Sequence, residues 1–78
     1  MAVEAYVLIE LQGDDAKRTL ENIRALETVK ELHVVTGPFD AIAVVEVPDL
    51  EELGIIILSR IRSIPGVGKT ITCIKVPK

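Results

Sequence analysis

His33 and Cys73 are the only histidine and the only cysteine in this 78-residue sequence. The two side chains most often used for chemistry near neutral pH therefore occur once each. One thiol cannot close a disulfide within the chain, and one Cys with one His cannot make a four-ligand zinc site. A nucleophile also needs a base and a group to orient that base, and no such set assembles here. His33 on a strand reads as a surface or half-buried residue, and Cys73 as a small packed hydrophobe. The paired acids Asp14-Asp15 and Glu51-Glu52 stand at helix starts, where negative charge suits the helix dipole. The stretch Ser63-Ile64-Pro65-Gly66-Val67-Gly68-Lys69-Thr70 ends like a phosphate-binding loop. Ser63, however, stands where the first glycine is required, and here a helix precedes and a strand follows, the reverse of that motif's setting. The expectation is a protein that is not an enzyme, with no metal and no cofactor.

Composition narrows the class further. Lys and Arg number 9 against 12 Asp and Glu, for a formal net charge of −3, and the charges are scattered. Nucleic-acid binding needs clustered cations, and single-strand binding needs aromatics on which bases stack. Only 3% of the residues are aromatic. No apolar run approaches the roughly 18 residues of a membrane span. Met1-Ala2-Val3-Glu4 has neither the basic region nor the cleavage site of a signal peptide. The expectation is a soluble, cytoplasmic domain that touches neither nucleic acid nor membrane. A chain of this size buries only about 60% of the surface it exposes when unfolded. Lacking disulfide and metal, it has oligomerisation as its remaining source of stability.

The periodicities place the elements. Val3 to Leu11 reads as a strand, with Val3, Ala5, Val7 and Ile9 on one face and Glu4, Tyr6, Leu8 and Glu10 on the other. Gln12-Gly13-Asp14-Asp15 is a turn with an Asp as N-cap. Ala16, Leu20, Ile23 and Leu26 follow at helical spacing. Val29 to Thr36 is a second strand, with Val29, Glu31, His33 and Val35 on one face. Gly37-Pro38-Phe39-Asp40 is a compact turn into the apolar strand Ala41–Val47. Asp49, with Glu52 three residues on, caps a second helix, whose stripe is Leu50, Leu53, Ile57, Ile61 and Ile64, widened by Ile55, Ile56 and Leu58. Gly54 inside that helix points to a close backbone approach. Pro65-Gly66 ends it, and Lys69 to Val76 is the last strand, with Thr70, Thr72, Ile74 and Val76 on one face.

Strand, helix, strand, strand, helix, strand is the α+β ferredoxin-like plait, βαββαβ. Right-handed crossovers put both helices on one face of a four-stranded antiparallel sheet. The other face is open and should be polar. Instead it carries Tyr6, Leu8, Ile42 and Val44, an apolar patch of the kind that marks a protein contact. The expectation is a dimer through that face.

The run Val34-Val35-Thr36-Gly37-Pro38-Phe39-Asp40, in this hairpin, together with Leu50, Leu53, Ile57, Ile61 and Arg62 before Pro65 and a strand bearing Thr70 and Thr72, resembles the C-terminal effector domain of the Lrp/AsnC transcription regulators, the RAM domain. The resemblance covers essentially all of residues 1–78, one domain. It implies a stand-alone member, because the chain opens on the domain's first strand with no helix-turn-helix domain before it. It also implies a sheet-to-sheet homodimer that assembles further, such as to an octamer, and an amino-acid effector bound where dimers meet. Carried over by position, the binding residues are Gly37, Pro38, Phe39, Asp40, Thr70 and Thr72. Asp40 would receive the ammonium; turn N–H groups and the threonine hydroxyls would hold the carboxylate, with no donor from Pro38. Transcription would be modulated indirectly, through assembly with a full-length Lrp/AsnC regulator.

Other readings stay open at this point. Read from the residues alone, the turn is a hairpin loop with Asp40 bonded to its own backbone, and Thr70 and Thr72 are ordinary strand residues. An ACT-like amino-acid module shares the plait but places its ligand differently. A structural oligomerisation domain needs no ligand. A small ferredoxin-like enzyme is disfavoured: an acylphosphatase wants an Arg/Asn phosphate site, and a dimeric monooxygenase wants a buried His or a Trp/Tyr set.

Overall fold

Alternating small and branched apolar residues build the centre of the sheet. In the computed structural model, which describes residues 2–77, β1 spans Val3–Leu11 and buries Ala5, Val7 and Ile9 completely. After α1 (Ala16–Arg24) come β2 (Val29–Val34) and β3 (Ala41–Val47), then α2 (Leu50–Ile55), a π-helical continuation (Ile56–Ile61) and β4 (Val67–Ile74). The sheet order is β2-β3-β1-β4 with every pairing antiparallel. This is the expected ferredoxin-like plait. Its floor is Ala5, Val7 and Ile9 of β1 with Ala41, Ala43, Val45 and Val47 of β3. Ile23 of α1 and Leu53, Ile56 and Ile61 of the second helical segment close over it. Among the described residues no helix is long and apolar enough to cross a membrane.

Both helix starts are capped by aspartate. The Asp15 carboxylate accepts from the Arg18 N–H at 3.2 Å, and that of Asp49 from the Glu52 N–H at 2.8 Å. These contacts satisfy N–H groups that have no partner within the helix.

Several local expectations are corrected. In α1 the buried residues are Thr19 and Ile23, whereas Ala16 is exposed. Thr19 is buried because its Oγ1 lies 3.0 Å from Pro65 O and 3.2 Å from Asp15 O, with Gly66 directly against it. That contact locks α1 to the turn before β4. In the second helical segment Leu50 is 61% exposed, not buried. The chain widens there: the Arg62 N–H reaches Ile57 O at 3.0 Å, an i→i+5 closure. This closure brings Ile56 and Ile61, five residues apart, to the same buried side. A stripe drawn at the ordinary helical period therefore leaves the core at Ile57, which is only half-buried, and leaves Ile55 and Leu58 outside. Gly54 marks no close approach, since a Cβ there would meet nothing within 4 Å.

The edge strands also differ from expectation. In β2, Val29 pairs with Val45 but Glu31 pairs with Val44, so Lys30 is an extra residue. That bulge flips parity and sends Val29 to the helix side, where it packs on the core. β2 ends at Val34 rather than Thr36. β4 begins at Val67 rather than Lys69 and ends at Ile74, leaving Val76 beyond it and 81% exposed.

Candidate functional site

The hairpin turn is tied to β1 by its backbone and by a side chain. The Val35 N–H donates to Asp40 O across the turn, and the Asp40 N–H to Ile9 O of β1, both at 2.9 Å. The third bond uses the side chain: Asp40 Oδ2 accepts the Leu11 N–H at 2.8 Å. Beyond the Ile9–Ala41 pair the ladder stops offering carbonyls to β1, and the half-buried Asp40 carboxylate supplies the acceptor instead. So Asp40 bonds backbone 29 residues away, not its own, and Leu11 engages only one of its two carboxylate oxygens. Gly37 holds φ +134° in the turn, where L side chains are strained although there is open space around it. Gly37 and Pro38 are exposed and Phe39 is half-buried.

Thr70 and Thr72 are opposite Ile9 and Val7 across the β1–β4 pairing, half-buried on the helix side. Ile9 thus has Ala41 on one side and Thr70 on the other. Asp40 and Thr70 converge on one end of β1 but stand about two strand spacings apart, roughly 10 Å. Thr72 lies one pair further from the turn. Within one chain, then, the six carried-over residues share an end of the sheet without closing round a common point. Gly68 and Lys69 together oppose Glu10 in a bulge, so the Gly68-Lys69-Thr70 run lies in a strand and cradles no phosphate.

The open face is ordered in rows by the strand register. Val44, Tyr6 and Cys73 form one row and Ile42, Leu8 and Ile71 the next, contributed by β3, β1 and β4. Tyr6 and Ile71 are 41% and 40% exposed. All four residues expected in the patch are in it, and Ile71 and Cys73 extend it. On β2 the rows end in Glu31 and His33, joined Nε2 to Oε1 at 2.9 Å. Beyond the apolar rows lies Glu46–Glu4–Lys75, with Lys75 Nζ 2.9 Å from Glu4 Oε1. The hydrogen bond and charge of Glu4, and then the charge of Tyr6, hold the Lys75 ammonium above its usual 10.5, against a small opposing effect of burial. A shallow concavity of about 540 Å³ lies among Tyr6, Ile42, Val44 and these charged residues. His33 and Cys73 sit on opposite edge strands, with β3 and β1 between them, too far apart for a thiol–imidazole pair. Among the described residues no group of three or more His, Cys, Asp or Glu is placed to hold a metal ion.

Sequence reasoning missed the Asp40–Leu11 bond, the Thr19–Gly66 contact and the Glu4–Lys75 pair. Only the last left a trace, an acid and a base at opposite ends of the two strands that pair.

Residues 4–76 match a family model described as the Lrp/AsnC ligand binding domain. Among curated proteins, an uncharacterized HTH-type transcriptional regulator of Pyrococcus furiosus is 34% identical over 77 residues, covering 95% of this chain and 51% of its own length. The chain thus spans about half the length of the curated relatives it matches. A solved protein of Thermus thermophilus is 36% identical with TM-score 0.90, covering 97% of this chain and 95% of that one. A Neisseria meningitidis transcriptional regulator, solved as its L-Met complex, has TM-score 0.89 at 17% identity over 97% of this chain and 51% of that one, a likeness of fold.

Proposed function

The chain belongs to the Lrp/AsnC ligand binding domain family, and from that premise we propose that it senses a small α-amino acid beside the hairpin turn and modulates transcription through the assemblies it forms. The observation that carries this reading is the Asp40 carboxylate. One oxygen is pinned by Leu11 at 2.8 Å, which fixes the direction of the other. A pre-oriented carboxylate oxygen at a turn suits a ligand ammonium. Gly37, Pro38 and Phe39 shape the same turn, and Thr70 and Thr72 bring hydroxyls to the same end of the sheet. Because these groups do not enclose a site within one chain, a second dimer completes it, in an assembly such as an octamer. The L-Met complex of the Neisseria meningitidis regulator supports an amino acid as the ligand class. The apolar rows of the open face, rimmed by charge, support a homodimer as the unit of assembly.

A ligand at a subunit boundary changes assembly only by binding one state better than another. The readout passes to DNA by co-assembly with a full-length Lrp/AsnC regulator, and no chemistry is asked of this domain. The test is a thermal-shift screen of the proteinogenic amino acids, followed by light scattering with those that bind. A ligand at a hundred times its Kd adds about 2.7 kcal/mol to the native state, a clear rise in midpoint. A flat response to every amino acid would select the second reading, a structural oligomerisation module. The same Asp40–Leu11 bond favours that alternative, because it orders the turn without any ligand.

A further inference from the structure

The peptide unit between Glu10 and Leu11 has a carboxylate on each side of it. Its N–H is held by Asp40 at 2.8 Å, toward β3. Its carbonyl faces Gly68 of β4, and there the side chains of Glu10 and Gln12 turn in as well. A Cβ on Gly68 would stand 3.2 Å from Glu10 O, Glu10 Oε1 and Gln12 Oε1 alike. We propose that this notch receives the side-chain cation of the ligand, so that the amino acid sensed is a basic one of the length of lysine or arginine. The inference rests on the reading above that an α-amino acid binds at Asp40, and it names the class.

Gly68 is not there for its backbone, since its φ lies outside the left-handed region. What it supplies is space: with no Cβ, two side-chain oxygens from β1 and the turn after it converge over its Cα. Both oxygens are acceptors, and among the described residues neither receives a hydrogen bond. The ion pairs among those residues are Glu31–His33 and Glu4–Lys75, so the charge of Glu10 is not neutralised within the chain. Lys69 shares the bulge with Gly68, but its exposed ammonium makes no pair with Glu10. A carboxylate and an amide oxygen side by side suit an ammonium or a guanidinium, which brings several donors and a positive charge. An apolar ligand side chain would strip water from both acceptors and return no bond, and an acidic one would add repulsion. The spacing fits one ligand across both sites. Asp40 and Gly68 flank β1 about two strand spacings apart, roughly 10 Å, and Asp40 reaches inward to Leu11, which shortens the span. An amino acid with its α-ammonium on Asp40 needs a side chain as long as that of lysine to reach the notch. All these acceptors come from one chain, so the preference is built in before a second dimer closes the site.

Calorimetric titration of the full chain with L-lysine, L-arginine and L-norleucine tests this. Norleucine keeps the carbon chain of lysine and lacks its side-chain ammonium. Lysine or arginine should bind at least about ten-fold more tightly than norleucine, the worth of one charge-assisted contact. Glu10→Gln keeps the size of the side chain and removes its charge, and it should bring that ratio close to unity. The Glu10 side chain is exposed and bonded to no other described residue, so this variant keeps the fold. Gly68→Ala puts a Cβ into the notch and should lower the ratio in the same direction. Norleucine or another neutral or acidic amino acid binding as tightly as lysine and arginine overturns the basic ligand and leaves amino-acid sensing standing. A basic preference that survives Glu10→Gln does the same to the notch. No response to any proteinogenic amino acid overturns the sensing and this inference with it.

Discussion

The carboxylate of Asp40 holds the backbone of Leu11, accepting its N–H at 2.8 Å across 29 residues of sequence. A residue expected to face a ligand is therefore also a fastener between the hairpin turn and β1. The two roles are separable by chemistry. Asparagine keeps an oxygen for the Leu11 N–H and loses the charge; alanine loses both. Asp40→Asn should fold almost as stably as the unaltered chain and bind an amino acid at least about ten-fold more weakly, the loss of one charge-assisted bond. Asp40→Ala should also lose about 1–2 kcal/mol of stability, for a half-buried N–H left unpaired. Calorimetric titration and denaturant midpoints on both variants check this. Equal ligand affinity in all three proteins would remove Asp40 from the site.

The plait itself was legible because period-two patterning is strong where a strand is covered on one side. Ala5, Val7 and Ile9 against Tyr6 and Leu8 give both the buried and the open face of β1. The caps at Asp15 and Asp49 were legible because their contacts lie within one turn of chain. What could not be read depends on distant partners or on small changes of count. The bulge at Lys30 adds one residue and moves Val29 across the sheet. The widened turn at Ile56–Ile61 shifts the buried stripe by one position. The site was legible only as a set of types, since nothing in Asp40 announces Leu11 as its partner, and nothing in Thr70 says that β1 stands between it and the turn.

Two glycines should respond to alanine in opposite directions. Gly54 is helical and has no atom within 4 Å of a Cβ position. Gly54→Ala should stabilise by about 0.5–1 kcal/mol, the helix-propensity difference. Gly66 has φ +95°, and a Cβ there would run into the Thr19 side chain. Thr19 cannot swing away without losing its bonds to Pro65 O and Asp15 O. Gly66→Ala should destabilise by about 2 kcal/mol or more, from left-handed backbone strain plus the clash. Thermal melts of the two variants give the sign directly.

The Glu4–Lys75 pair gives a pH dependence with a definite sign. Lys75 is raised above 10.5, first by its hydrogen bond to Glu4. A raised ammonium contributes stability that is fully present below its unfolded value and is lost as pH rises through the folded one. On the alkaline side, the stability advantage of the unaltered chain over Glu4→Gln should therefore hold up to about pH 10.5 and vanish above it. The pair is solvent-exposed, so the advantage should be small and should shrink further in high salt. Denaturation across the alkaline range at two salt concentrations checks this.

Tyr6 offers the most direct test of the open face. It lies in the middle column of the apolar block, between Val44 and Cys73, and is 41% exposed in the single chain. A carboxylate there would still reach water in the monomer, so Tyr6→Asp should fold with unchanged far-ultraviolet circular dichroism. In a face-to-face dimer the same charge would be buried against apolar residues, while the neighbouring Lys75 ammonium is already bonded to Glu4 at 2.9 Å, and that is strongly unfavourable. The dimer dissociation constant should rise at least about a hundred-fold, roughly 3 kcal/mol, as for a central anchor residue. Sedimentation velocity at low micromolar concentration should then find a monomer where the unaltered chain is a dimer or larger. Core and interface separate cleanly here, because Val7, the next residue, is fully buried on the helix side. Val7→Ala should lower the melting midpoint and leave the oligomer of the surviving folded fraction intact. If instead Tyr6→Asp sediments like the unaltered chain, the open face is not where the copies meet.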